Sequence, residues 1–199
     1  MQAGMDPFAL VVPGPAHLPS YAAALQAGWS PSTTRDISAE QLAAIADDPA
    51  GFLRGLQEHE GRTVTTDTGL VVPRLPGAVM WMWDGALCGS INLRHLPGTL
   101  ELPPYVSGHI GYAVVPWKRR RGYATRALAL MLPLAHARGL PRVAVTCDED
   151  NRGSRRVIEA NGGVLTRTEP HATRPGVRKL VFEVGTTSPS PSGRGGKEA

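Results

Sequence analysis

Lys118-Arg119-Arg120-Arg121-Gly122-Tyr123-Ala124-Thr125 joins an apolar strand, His109 to Val115 closed by Pro116, directly to an apolar helix, Ala124 to Arg138. A basic, glycine-bearing elbow at the start of a helix is suited to hold phosphate. The N–H groups of the first helical turn have no partner within the helix and point outward with partial positive charge. The three arginines add full charges, and Gly122 lets the backbone approach an anion closely. Two nucleotide sites are excluded by what the elbow lacks: a Gly-Lys-Ser/Thr ending for a triphosphate loop, and a G-x-G-x-x-G run for a dinucleotide. A diphosphate fits what remains. The plain alternative is a solvated basic turn, and the elements downstream weigh against it.

After the helix comes Val143 to Thr146, a short β-branched run, then the loop Cys147-Asp148-Glu149-Asp150-Asn151. A second helix follows through Ser154, Val157 and Ile158 to the stop at Asn161-Gly162-Gly163. The order is strand, loop, helix, strand, helix. In that setting Arg119-x-x-Gly122-x-Ala124 resembles the R-x-x-G-x-G/A loop of the GNAT superfamily of acyl-CoA-dependent N-acyltransferases, over about Ala78 to Val184.

The resemblance implies an α/β (α+β) chain with the GNAT fold: a mixed central sheet of about six or seven strands, helices on both faces, and two neighbouring strands splayed to admit coenzyme A. It implies that Arg119, Arg120, Arg121, Gly122, Tyr123, Ala124 and Thr125 cradle the pyrophosphate. Main-chain groups of Val114 and Val115 would pair with the pantetheine amides and polarise the thioester carbonyl, although both side chains could equally be core. Asn151 stands where the family bonds the pantetheine arm, with the small Ser154 three residues on. The implied activity is direct transfer of acetyl from acetyl-CoA to a primary amine, in a ternary complex and without metal. The acceptor is a small molecule or a peptide, and a homodimer is left open.

Many family members carry a carboxylate at the position of His109 in Gly108-His109-Ile110-Gly111-Tyr112. Strand alternation puts His109, Gly111 and Ala113 on one face, and the two small residues leave room for a substrate beside the imidazole. An ordinary imidazole pKa of about 6.5 suits a general base at neutral pH. The alternative is a structural histidine bonded to a neighbouring loop. The usual general acid of the family, a Tyr seven residues after the Asn, is here Ile158, which leaves Tyr112 and Tyr123 as substitutes. For the acceptor, Trp29, Trp81, Trp83, Arg94, His95, Glu101 and Tyr105 are the polar or aromatic residues on hand, most of them expected to be packing or surface. Cys147 has no partner that spacing identifies as making it a nucleophile.

Composition narrows the classes further. A chain of 199 residues, 42% hydrophobic, suits one domain, expected over 8–184 with a disordered tail over 185–199. The excess of 21 Lys and Arg over 17 Asp and Glu is modest and without interleaved aromatics, so nucleic acid is not the expected partner. Every apolar run is broken by Pro, Gly or charge, so no membrane span is expected. Cys88 and Cys147 have no metal-ligand spacing and no secretory signal precedes them, from which a cytoplasmic protein with reduced thiols is expected.

Elsewhere, Phe8 to Val12 reads as a first strand, and Pro19 and Gly28 outline a helix. Ser38-x-x-Gln41 reads as a capping box, and Asp48-Pro49 starts another helix. Val79 to Trp83, the turn Asp84-Gly85 and Leu87 to Leu93 make a hairpin. Leu96 to Val106 is a loop, Pro133 should kink or shorten the helix that contains it, and Arg178 to Val184 is the final strand. Two rival functions remain: a non-catalytic acyl-CoA-binding or regulatory module, and, less well supported, an arginine-rich nucleic-acid binder with steep salt dependence.

Overall fold

The computed structural model describes residues 8–187, with Glu60 and Asp67 excepted. In chain order the elements are β1 (Ala9–Val11), α1 (Leu18–Gln26), α2 (Ser38–Asp47), α3 (Pro49–Gln57), β2 (Thr63–Thr65), β3 (Val71–Pro73), β4 (Gly77–Trp83) and β5 (Leu87–Arg94). Then come β6 (Ile110–Val114), a 3-10 turn at Pro116–Lys118, α4 (Tyr123–His136), β7 (Arg142–Asp148), α5 (Arg152–Ala160), β8 (Val164–Pro170) and β9 (Arg178–Gly185).

Seven strands form one sheet in the order β1-β4-β5-β6-β7-β9-β8, and β2 pairs with β3 in a separate hairpin. All neighbours in the large sheet are antiparallel except β6 and β7. Parallel neighbours require a crossover, and α4 supplies it. The mixed sheet with helices on both faces is the architecture that the resemblance implied.

Period-two alternation along the strands divides the core in two. One cluster joins Met82, Ile91, Leu93, Ile110, Val143, Val145, Leu180 and Phe182 to Ala127, Leu128 and Met131 of α4 and Ile158 of α5. The other packs Trp81, Leu87 and Val115 against Tyr21, Leu25 and Leu53 of the N-terminal helices, with Trp29 beside them. The stacked pair Tyr21 and Trp81, with ring centroids 4.3 Å apart, centres that second cluster. Trp29 and Trp81 are therefore packing residues and not part of an acceptor surface.

The structure corrects several local expectations. No capping box forms at α2: the Ser38 N–H bonds to Asp36 Oδ1 at 2.8 Å, while Gln41 is taken by the Tyr21 hydroxyl. Asp48, by contrast, caps α3 through the Gly51 N–H at 2.8 Å, as expected. α4 runs through Pro133 and ends at His136, two residues short of the expected Arg138. The final strand reaches Gly185, which pairs with Arg142, and Thr186 is buried behind it. Thr186 Oγ1 donates to the Leu140 carbonyl at 2.6 Å and its N–H bonds to Pro141 O at 3.1 Å. Gly185 and Thr186, expected in the tail, are thus part of the fold, and residues 188–199 lie outside the described residues. Among the described residues no helix is long and apolar enough to cross a membrane.

Candidate active site

The elbow is a backbone cup. Arg119 is extended (φ -64°, ψ 160°), while Arg120 and Gly122 both adopt the left-handed conformation at φ 61° and φ 76°. Gly122 does so freely, but a side chain at Arg120 makes that turn cost about 1 kcal/mol. Left-handed residues in such a turn rotate successive N–H groups into the concavity that binds anions. Gly122 is the N-cap of α4 without a capping side chain, and the first helical bond runs from Arg126 N–H to Gly122 O at 3.0 Å. The N–H groups of Tyr123, Ala124 and Thr125 are therefore left for a ligand. Arg119, Arg120 and Arg121 are exposed around them.

Both ends of the elbow are pinned to one carboxylate. Lys118 Nζ lies 2.5 Å from Asp84 Oδ1, and the Tyr123 hydroxyl donates to Asp84 Oδ2. Burial pushes the Asp84 carboxyl up, but the bonds from Lys118 and Tyr123 outweigh it and hold the pKa at about 2. Tyr123 is buried, its ring against Phe8 at 5.4 Å, so its side chain braces the elbow rather than covering a cofactor. Its main-chain N–H, at the first position of α4, has no partner within the helix.

Between the elbow and α5 the sheet opens. β6 pairs with β7 at Ile110 and Val145 alone, preceded by the His109 N–H bond to Ala144 O at 2.7 Å, although β7 is paired with β9 from Arg142 to Asp148. Beyond Ile110 the two strands diverge. The Val115 N–H is committed to Cys88 O at 3.0 Å, so alternation turns the main-chain groups of Val114 and Tyr112 toward the gap. Arg119 Nε reaches the Val114 carbonyl there at 3.3 Å. Of the two valines, then, Val114 offers main-chain groups to the gap, while Val115 is fully buried with its N–H spent on β5.

Asn151 and Ser154 flank the far side. The Asn151 side-chain oxygen accepts from Ser154 N–H at 3.0 Å and caps α5, which leaves its amide nitrogen as the unused donor. Ser154 Oγ lies 2.8 Å from the Tyr112 hydroxyl, across the gap between α5 and β6. Burial raises Tyr112 to a pKa of about 12. A hydroxyl that holds its proton so tightly donates a hydrogen bond to a thiolate rather than transferring the proton.

His109 has a geometry unlike that of a general base. Its Nδ1 accepts the Ala144 N–H at 3.0 Å, so in the neutral ring Nε2 carries the hydrogen, and Nε2 is buried without a partner among the described residues. Burial, with the nearby Arg94 charge, lowers the pKa to about 4. No lone pair is presented to an amine, and an imidazole so depressed is a weak base at neutral pH. The ring ties β6 to β7 just before they separate. On the same face of the sheet a cavity of about 760 Å³ opens, lined by Glu101, Tyr105, His109, Ala144, Glu169 and Glu183.

The remaining candidates are inert. Burial pushes the thiols of Cys147 and Cys88 up to about 11, so neither is a ready nucleophile. Among the described residues no cluster of His, Cys, Asp and Glu could hold a metal ion.

The acetyltransferase (GNAT) domain family matches residues 23–164. This chain belongs to the GNAT acetyltransferase family. No curated protein matches it. Among solved structures, RimJ of Mycobacterium smegmatis in complex with CoA-disulfide is similar at TM-score 0.61 and 17% identity, over 89% of this chain and 81% of that one. YncA of Salmonella typhimurium, solved with its cofactor acetyl-CoA, is similar at TM-score 0.52 and 12% identity, over 94% and 98%. The microcin self immunity acetyltransferase MccE, in complex with acetyl-CoA and AMP, gives TM-score 0.56 and 11% identity over 90% and 93%. At such identities the likeness shows the GNAT fold. The missing strands in the sequence reading, β2, β3 and β8, carried little signal, since β2 and β8 are largely exposed and neither shows a clean apolar alternation.

Proposed function

We propose that the protein transfers an acetyl group from acetyl-CoA to a primary amine on a small molecule or peptide, directly and in a ternary complex. The observation that carries this reading is the gap between β6 and β7, which opens on the side of the sheet where the elbow leaves its N–H groups free. The neighbours solved with acetyl-CoA and with CoA-disulfide support the choice of cofactor.

The N–H groups of Tyr123, Ala124 and Thr125 hold the pyrophosphate, with Arg119, Arg120 and Arg121 neutralising its charge. Each charge-assisted bond contributes about 1.5 to 3 kcal/mol, so a few suffice for micromolar affinity after the costs of association. The Val114 main chain and the Asn151 amide nitrogen hold the pantetheine arm. Acetyl-CoA supplies the thioester whose acetyl group is transferred. The Val114 N–H polarises its carbonyl, and Tyr112 donates a hydrogen bond toward the departing sulfur.

In this account His109 is not the base. The amine reacts in its uncharged form, and its proton leaves through the cavity, where Glu101, Glu169 and Glu183 offer carboxylates. The test is a thiol-release assay with acetyl-CoA against small amines, polyamines, aminoglycosides and peptide N-termini, with the acetylated product identified by mass. Cofactor binding without thiol release on any amine would favour the non-catalytic acyl-CoA-binding module.

A further inference from the structure

Arg94 has no acidic partner among the described residues. Its Nε donates to the Gly108 carbonyl at 2.7 Å and its main-chain N–H to His109 O at 2.9 Å, so the side chain is fixed against the start of β6. Burial disfavours its charge, and among the described residues no acidic group offsets that. Its charge instead acts on the ring of His109, another group that would resist becoming positive. A partly buried guanidinium with no counter-ion is a costly arrangement unless a ligand supplies the negative charge.

His109, on whose ring the Arg94 charge acts, lines the cavity on this face of the sheet. Asn92 stands opposite Gly111 in the β5–β6 pairing, on the sheet face that also carries Arg94 and His109. A side chain at Gly111 would begin 3.1 Å from a terminal nitrogen of Arg94 and 3.5 Å from Asn92 Oδ1. The guanidinium and the amide therefore converge over the one residue in this part of β6 that has no side chain. This face lies opposite the one covered by α4 and α5, so the position is separate from the elbow.

We propose that Arg94, with Asn92 beside it, binds a carboxylate carried by the amine acceptor, which makes the acceptor an amino acid or a peptide-like amine. The proposal rests on the acetyl-transfer reading of the site. The chemistry favours carboxylate because Nε is already committed to Gly108, leaving the two terminal nitrogens as an end-on fork. Such a fork matches the two coplanar oxygens of a carboxylate.

The full chain, saturated with coenzyme A, is titrated with matched pairs that share an amine and differ in the carboxylate: L-lysine against L-lysinamide, and glycylglycine against its amide. O-phosphoethanolamine is a further arm. At least one carboxylate member should bind about tenfold or more tighter than its amide, from one charge-assisted fork. Arg94→Gln should abolish that preference. If Arg94→Gln fails to fold, Arg94→Lys, which keeps the charge but loses the fork, should reduce it severalfold. The proposal is overturned by equal affinity within both pairs, by a preference that survives in these variants, by tighter binding of O-phosphoethanolamine, or by no binding of any probe at millimolar concentration. Thiol release from acetyl-CoA is recorded in parallel. Release without carboxylate preference sinks the proposal and leaves acetyl transfer standing, whereas preference without release supports the site and sinks acetyl transfer.

Discussion

Lys118 Nζ lies 2.5 Å from Asp84 Oδ1, and the same carboxylate accepts the Tyr123 hydroxyl through its other oxygen. Lys118 and Tyr123 bracket the elbow, so one residue in the β4–β5 turn fixes both ends of the loop proposed to hold the cofactor. With Lys118 on the nearby acid, Arg119, Arg120 and Arg121 form no ion pair among the described residues.

Replacing Asp84 by Asn should therefore loosen the cup. Loss of the charge leaves Lys118 partly buried and unpaired, at a cost of roughly 1 to 3 kcal/mol in stability. Acetyl-CoA affinity should fall as well. In the wild type this contribution is present above the ordinary carboxylate pKa of 3.8 and disappears as pH falls toward about 2; the variant should lack that dependence. Denaturant melts and calorimetric titration read both effects. Unchanged affinity would mean that the elbow keeps its shape unaided.

His109→Gln separates the tie from the base. The folded His109 pKa of about 4 lies below its ordinary 6.5, so the neutral ring stabilises the fold above that ordinary value, and stability is lost as pH falls from 6.5 toward 4. The loss is on the order of 3 kcal/mol and should be absent in the variant. The variant should keep most of its turnover, and the rise of activity with pH should follow the pKa of the amine used. A hundredfold fall in turnover together with loss of an imidazole limb would restore His109 as the base.

Gly122→Ala probes close approach. No atom lies within 4 Å of a side chain begun there, so the variant meets no clash in the free protein and should lose only about 1 kcal/mol from its left-handed backbone. The added methyl group projects at the helix N-terminus, and cofactor affinity should fall by more than the stability change accounts for. Equal affinity per folded molecule would confine Gly122 to a role in the turn.

Thr186→Val should cost about 1 to 2 kcal/mol in stability, since it removes a donor from a buried site bonded to the Leu140 carbonyl. Acetyl-CoA affinity should be untouched, because the site is remote from the elbow. A neutral variant would show that the strand end is held by Gly185 alone.

Much of this was legible in the chain. The elbow, the Asp84-Gly85 hairpin and α5 with its stop at Gly162 follow from local rules about glycine, turns and helix ends. The resemblance to the GNAT family added the splay, which no local rule contains. What was not legible depended on contacts distant in sequence. Gln41 caps nothing because Tyr21 claims it from 20 residues away. Thr186 looked like the first polar residue of a tail until packing against Leu140 buried it. For His109, named from the sequence as the base with a structural tie as the alternative, the contact of Nδ1 with the Ala144 N–H comes from a residue 35 positions away. That Arg94 has no acidic partner among the described residues could not be seen at all, since the neighbours of a side chain are a property of three dimensions.

The central claim is that the elbow holds the cofactor, and calorimetric titration of acetyl-CoA into the wild type and the Arg119→Ala/Arg121→Ala variant tests it most directly. The account predicts saturable binding by the wild type and at least about tenfold weaker binding by the variant, from loss of two charge-assisted contacts, with little change in melting temperature. Equal affinity in the two proteins would contradict it.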